Sequence, residues 1–328
     1  MASAPVGDDQ FGEDPSINLL QARVAALLGK ESALWLPSGT MANQVALRVL
    51  TRPGDDVIVG WGAHAAWSES GASAANAGVQ FTEVGAGGTF TAEAFLAARK
   101  PRGNILLPPT TLVEIENTHN RGGGVVFDQD EVERICDAAR GHDVGTFLDG
   151  SRLWNAAASS KRSPAELARP FDLVTVALSK GLGAPGGSLL AGPSHLIALG
   201  VRARRMLGGA MRQAGIFGAA GLYALDHHLP RLHHDHEHAM RLARRLASSP
   251  LIRIDLATVQ TNIVIFHLAD GAPDAETVVS LARDRGVLLI AFGPRTLRAV
   301  THLDVSREEC DSGAEALVET IEMQRLDP

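Results

Sequence analysis

Only four lysines stand among the thirty basic residues of this chain, and their surroundings differ. Lys30 follows a helix-stopping glycine, Lys100 lies in Ala-Arg-Lys-Pro-Arg and Lys161 in Ser-Ser-Lys-Arg-Ser, all polar surface contexts. Lys180 instead comes directly after the largely apolar run Leu173–Leu178 and Ser179, and opens a glycine-rich loop that ends at Gly187. Open α/β sheets place their ligand sites at the carboxyl ends of parallel strands. An amine partly desolvated there has a lowered pKa and can form a Schiff base with a carbonyl compound. Most lysines are simply solvated surface groups; if this chain uses one, it is Lys180.

Asp149 also ends an apolar run, in Phe147-Leu148-Asp149-Gly150-Ser151-Arg152. A carboxylate so placed can pair with a cationic ring nitrogen, and it can equally cap a helix. Arg152 could clamp a carboxylate through two parallel hydrogen bonds. Ser38, Gly39 and Thr40 join a short strand to a helix, where backbone N–H groups and hydroxyls suit an anion such as phosphate. His64, in Gly-Ala-His-Ala, could stack on a flat ring or act as a base. Six histidines crowd His227–His238 with Asp235 and Glu237. Of these, His234 and His238 are spaced i,i+4 and could hold a metal. No third ligand stands at a fixed spacing, and the run reads as the solvated face of a charged helix with no metal site.

The elements that must position these residues follow from periodicity. Helical spacing over Ile17–Leu28 ends at Gly29, and further helices are expected from Met41, over Glu131–Arg140, and from Arg307. Strands are expected at Ala33–Leu36, Asp56–Val59, Thr111–Glu116, Val144–Leu148 and Leu173–Leu178, with Gly187–Ala191 close enough to pair antiparallel with the last. Continuous apolar strands joined by helices indicate a mainly parallel sheet covered on both faces. After about Leu229 the rhythm changes. A long charged helix over Arg231–Ser248 precedes strands at Asn262–His267, Val287–Ile290 and Leu297–Thr301 and a helix at Ala275–Arg285, a smaller α+β unit. The expected division is 1–229 and 230–328.

Composition narrows the function classes. The chain has 328 residues, 45% of them hydrophobic, enough for roughly two domains with real cores. A net charge of -7 argues against nucleic acid or an anionic membrane as partner. No apolar run approaches a membrane span, and no signal peptide opens the chain, which reads as cytoplasmic. Two cysteines, Cys136 and Cys310, make neither a disulfide framework nor a metal motif.

Together these motifs resemble the fold type I pyridoxal-phosphate enzymes, and within them the L-threonine aldolase family. Residues 7–15 are similar to that family's GDD…GEDP segment, and Pro37–Leu47 (PSGTMANQVAL) resembles its phosphate-binding turn. Ala63-His64 looks like the pair whose ring stacks on the cofactor, and Glu116–Asn120 is very like ENTHN. Asp149–Arg152 corresponds to DGAR with Ser151 for Ala, and Ser179–Pro185 (SKGLGAP) to the lysine segment. Leu207–Gly215 is similar to LGGGMRQAG, and Arg298–His302 to a late RxVTH block.

The resemblance implies a fold type I large domain with a mainly parallel sheet, a smaller C-terminal α+β domain, and bound pyridoxal 5'-phosphate. Lys180 would hold the cofactor, Asp149 would keep its ring nitrogen protonated, and His64 would stack on it, with His64 or an ordered water as the base. Ser38, Gly39, Thr40 and Arg212 would hold the phosphate, Arg212 reaching a neighbouring subunit of a homo-oligomer, dimer or tetramer. Arg152 and Arg298 would grip the substrate carboxylate. The implied reaction cleaves threonine or a related β-hydroxy-α-amino acid to glycine and an aldehyde. Other chemistry at Cα or Cβ on the same cofactor, such as elimination or racemisation, and a weakly active cofactor-binding homologue are the alternatives. The family's Arg-Ser-Asp-Thr segment precedes the point where this chain starts, and Ser68 stands where an aromatic is usual. Apolar Ile105–Pro109 occupies the stretch before ENTHN, where some members carry a histidine. These departures imply a larger, more apolar substrate pocket.

Overall fold

Runs of Val, Leu and Ile without polar alternation build a seven-stranded sheet in the computed structural model, which describes residues 1–324. The strands are β1 (Ser32–Leu36), β2 (Asp56–Gly60), β3 (Gln80–Val84), β4 (Thr110–Glu116), β5 (Gly145–Gly150), β6 (Leu173–Ala177) and β7 (Ser188–Gly192). Their order across the sheet is β1-β7-β6-β5-β4-β2-β3. All run in one direction except β7, which is antiparallel to both β6 and β1. The ten residues 178–187 between β6 and β7 are too few for a parallel crossover, so the short separation in sequence does predict the pairing.

Strands β2, β4, β6 and β7 are buried along their whole length, and β5 is buried from Thr146 onward, as a sheet covered on both faces requires. Helix Gly39–Leu50 packs on one face over Leu36, Val59, Leu112, Phe147 and Leu190. On the other face of β1, Trp35 stacks on Phe217 of helix Gly215–His227, with ring centroids 5.7 Å apart. β3 escapes the sequence reading because it is the sheet's edge, its side chains partly exposed and its composition mixed.

The chain divides into two units. The first comprises residues 1–122 and 127–230, the second 123–126 and the residues from Arg231 onward. In the second unit, β8 (Ile252–Arg253), β9 (Ile263–Leu268), β10 (Ile290–Gly293) and β11 (Thr296–Val300) form an antiparallel sheet in the order β10-β11-β9-β8. Helices Leu232–Leu246, Ala275–Asp284 and Arg307–Met323 close its core around Leu242, Leu246, Phe266, Leu297, Leu317 and Ile321. The last helix opens with a reciprocal cap: Ser306 Oγ accepts from Glu309 N, and Ser306 N donates to Glu309 Oε2. The strand expected at Val287–Ile290 begins only at Ile290. Gly286, at φ +80°, ends the preceding helix, and Val287 N donates back to Ala282 O, so these residues complete a helix cap before the strand can start.

Candidate active site

Parallel strands deliver their carboxyl ends to one edge, and there the first unit gathers most of its polar core. Asp149 is the next-to-last residue of β5, Glu116 is the last of β4, β6 ends shortly before Ser179-Lys180, and β2 leads through Gly62 to His64. Glu116 pairs in register with Asp149, and Asp149 with Thr175. The turn from β1 into helix Gly39–Leu50 belongs to the same edge: Gly187 N donates to Pro37 O at 3.0 Å, binding the end of the lysine loop to this turn. A Cβ built on Gly39 would lie 3.6 Å from Ser151 Oγ, so the helix start borders the Asp149 segment directly. Ser38 Oγ accepts from Met41 N and caps that helix, whose first amides have no acceptor within the helix.

Asp149 is buried and doubly held. Its Oδ1 accepts from Ser151 N at 3.0 Å and its Oδ2 from Asn43 Nδ2 at 2.8 Å. Asn43 Nδ2 also donates to Glu69 Oε1 at 2.9 Å, and the same oxygen meets His64 Nδ1 at 3.0 Å. Asp149, Asn43, Glu69 and His64 therefore form one hydrogen-bonded chain beneath the edge. Gln44 holds the other Glu69 oxygen at 2.7 Å, and Thr175 Oγ1 donates to Asn43 Oδ1 at 3.3 Å. The His64 backbone N–H donates to Glu116 Oε2 at 2.8 Å, while Asn120 N donates to Glu116 Oε1 at 2.8 Å.

Electrostatics follow from this crowding. Burial, reinforced by the Arg152 cation, pulls Lys180 down to about 8, against the opposing pull of Asp149, Glu116 and Glu69. Burial works to raise Asp149, but Lys180, His64 and the Ser151 N–H outweigh it and hold the carboxyl below its ordinary range. Glu69 raises His64 through their hydrogen bond, in spite of burial. Burial lowers Arg152, with Glu116 and Asp149 opposing. Glu114, on β4 two residues before Glu116, is fully buried with neither oxygen hydrogen-bonded. Burial and then the negative Asp149, Glu69 and Glu116 push it well above the carboxylate range and favour its protonated form. Three glycines let a loop press onto this edge. A Cβ on Gly60 would meet Gly88 O at 2.5 Å, one on Gly122 would meet Gly87 O at 2.2 Å, and one on Gly88 would meet the buried His119 ring at 2.1 Å.

The family model of beta-eliminating lyases matches residues 1–269. The chain belongs to the beta-eliminating lyase family. It is 37% identical to low-specificity L-threonine aldolase 1 of Arabidopsis thaliana, covering 94% of this chain and 88% of that one. It is 38% identical to the low specificity L-threonine aldolase of Escherichia coli strain K12, covering 94% and 90%. The solved structure of Leishmania major threonine aldolase shares its fold, with a TM-score of 0.79 at 20% identity over 98% of this chain and 93% of that one. The fold is therefore that of the fold type I enzymes of this family, as the sequence motifs imply.

In this lyase, the residues singled out by sequence fall in three places. Ser38, Gly39, Thr40, His64, Asp149, Arg152 and Lys180 lie at the carboxyl edge of the large sheet, on its strand ends and the turns and helix starts that follow them. Arg212 lies on the loop after helix Ser194–Met206, exposed, its Nη1 2.5 Å from Asp8 Oδ2. That loop is bound to the amino-terminal segment: Asp9 N donates to Arg212 O, and Asp14 Oδ2 accepts from both Gly7 N and Gly215 N. Arg298 is on β11 of the second unit, its guanidinium 4.6 Å from the centre of the Phe292 ring.

One expectation is corrected. Ile105–Pro109 leads into the amino end of β4, whereas Glu116 leaves its carboxyl end; seven strand residues separate the two by about 20 Å. Ile105 and Leu106 are 98% and 85% exposed, so they do not line this chain's own site. The residues that sequence reasoning missed are Asn43, Glu69 and Glu114. Asn43 carried a signal, a polar residue on the inward face of an apolar helix. Glu69 carried none, since Ser68-Glu69-Ser70 reads locally as solvated.

Proposed function

We propose that this lyase binds pyridoxal 5'-phosphate and cleaves L-threonine or a related β-hydroxy-α-amino acid to glycine and an aldehyde. The observation that carries the reading is Lys180, an amine held near neutrality by burial, beside a buried carboxylate, Asp149, at the ends of adjoining strands. The donor set fits the cofactor. Lys180 would hold its aldehyde carbon, Asp149 would pair with its ring nitrogen, and the start of helix Gly39–Leu50, with Ser38, Gly39, Thr40 and Arg212, would take its phosphate. When bound, the cofactor supplies the electron sink for the pair released at Cα.

The chain's own groups do the rest. Asn43 and Ser151 N–H keep Asp149 ionised and aimed, so that it can hold a proton on the ring nitrogen. Arg152, whose charge is felt by both Glu116 and Asp149, would bind the substrate α-carboxylate, and that grip would decide which bond at Cα breaks. His64 turns Nδ1–H toward Glu69, leaving Nε2 as an acceptor that can lie against the cofactor and receive the β-hydroxyl proton, directly or through water, as the Cα–Cβ bond breaks.

A homo-oligomer, dimer or tetramer, completes the reading. Met206, Met211, Ile216 and Tyr223 are exposed on the first unit next to Arg212, an apolar surface suited to a second copy. Among the described residues no helix is long and apolar enough to cross a membrane.

The test incubates the purified, cofactor-loaded protein with threonine, allo-threonine and β-phenylserine and measures glycine and aldehyde. Equimolar release of the two from at least one substrate is expected. Keto acid and ammonia without glycine, inversion at Cα alone, or no turnover with cofactor bound would overturn the assignment.

A further inference from the structure

The histidine-rich helix Leu232–Leu246 presents a cluster that its sequence spacing concealed. The i,i+4 pair His234 and His238 does not converge on one exposed site. His238 is half-buried, its Nδ1 enclosed, and its charge acts on the buried Asp235. The groups that do converge are His233, His234 and Glu237, all exposed, each offering a ligand atom within 4.8 Å of the other two. His234 Nδ1 lies 3.8 Å from Glu237 Oε2. We propose that His233, His234 and Glu237 form a binding site for a divalent transition-metal ion of the zinc, nickel or copper class.

The donor set selects that class. Two imidazole nitrogens and one carboxylate suit zinc, nickel and copper, whereas magnesium and calcium take oxygen ligands. The geometry needs little change. Bonds of about 2.0–2.2 Å to a tetrahedral ion place ligand atoms ~3.4 Å apart. The ligand atoms already lie within 4.8 Å, and Glu237 stands i+4 from His233 and i+3 from His234, the spacings that put a side chain beside each imidazole, so side-chain rotation can close the remaining gap. The three groups already face water, so little desolvation opposes binding. Three protein ligands leave a coordination position open to water, so the ion exchanges with solvent rather than supporting the fold.

The experiment is equilibrium dialysis and calorimetric titration of the cofactor-loaded protein with zinc and nickel chloride. Comparison proteins are His233→Ala/Glu237→Ala, His234→Ala, and a His195→Ala control that removes an exposed histidine elsewhere. Alanine is the best helix former, and circular dichroism checks that the helix persists. One equivalent of zinc should bind to the parent and to His195→Ala. Affinity should fall at least tenfold in His234→Ala and be lost in the double variant, and excess magnesium or calcium should not compete. Equal binding by parent and double variant, or displacement of zinc by calcium, overturns the site. Neither outcome bears on the lyase assignment, which is read from glycine release.

Discussion

Lys180 should capture the cofactor in a pH range far below that of an ordinary lysine. An amine attacks an aldehyde only as the free base, so the rate of capture rises with pH, with its midpoint at the amine's pKa. Burial and the Arg152 cation bring that midpoint to about 8, from the 10.5 of an ordinary lysine. At pH 7 an amine of pKa 8 is roughly 9% neutral and one of pKa 10.5 about 0.03% neutral, a ratio of ~300. The assay mixes cofactor-free protein with pyridoxal 5'-phosphate in a stopped-flow spectrophotometer from pH 6 to 10. Nα-acetyl-lysine in the same buffers corrects for titration of the cofactor itself. The capture rate should rise from pH 6, reach half its maximum near pH 8 and level off above about 9, while the model amine keeps rising through pH 10. Arg152→Gln should move the midpoint upward but leave it below 10.5, because burial, the larger cause, persists. Lys180→Ala should leave no borohydride-fixed cofactor. A midpoint near 10.5 in the parent protein, or fixed cofactor in Lys180→Ala, refutes the reasoning.

The other expectations concern the groups around the lysine. Asn43→Ala strips a donor from both Asp149 and Glu69 and should destabilise the protein by about 1–3 kcal/mol and lower turnover; unchanged thermal unfolding and kcat would show that the hydrogen-bonded chain is idle. Gly88→Ala puts a methyl group into the His119 ring at a backbone φ of +91° and should lower Tm and activity together, a cost of at least about 1–3 kcal/mol from the backbone alone; a silent variant would mean that the loop yields. Glu114, raised in the folded state, contributes stability below the unfolded carboxylate pKa that is lost as pH rises through its folded value. Glu114→Gln should therefore flatten the decline of Tm as pH rises above the ordinary carboxylate range, and parallel pH curves for the two proteins would refute the raised pKa. Ser68→Tyr should lower kcat/KM for β-phenylserine relative to threonine, while Leu106→Ser should leave that ratio unchanged; a shift with Leu106→Ser would refute its placement at the far end of β4.

Much of the site was legible in the chain because its parts lie where one local pattern gives way to another. Lys180, Asp149 and Ser38–Thr40 each follow an apolar run, and the carboxyl ends of parallel strands must share an edge whatever the loops between them do. The same logic predicts β7 running against β6, since ten intervening residues leave no other path. Tertiary structure decided what local context cannot carry. Glu69 looks solvated among serines and becomes buried only because helix Gly39–Leu50 closes over it with Asn43 and Gln44. Glu114 and Glu116 look alike on β4, two residues apart on one face. Backbone N–H groups of His64 and Asn120 donate to Glu116 at the loop edge, while Glu114, one pleat deeper, finds no donor and is pushed well above the carboxylate range by burial. Ile105–Pro109 sits close to the ENTHN motif in sequence, yet an intervening strand carries it to the opposite edge of the sheet. On the histidine-rich helix, spacing picked out His234 and His238, but packing turned His238 inward toward Asp235 and left His233, His234 and Glu237 together outside. Periodicity sets where strands and helices begin and end. Which polar group is desolvated, and by what neighbour, depends on elements far apart in the chain, and only their packing determines it.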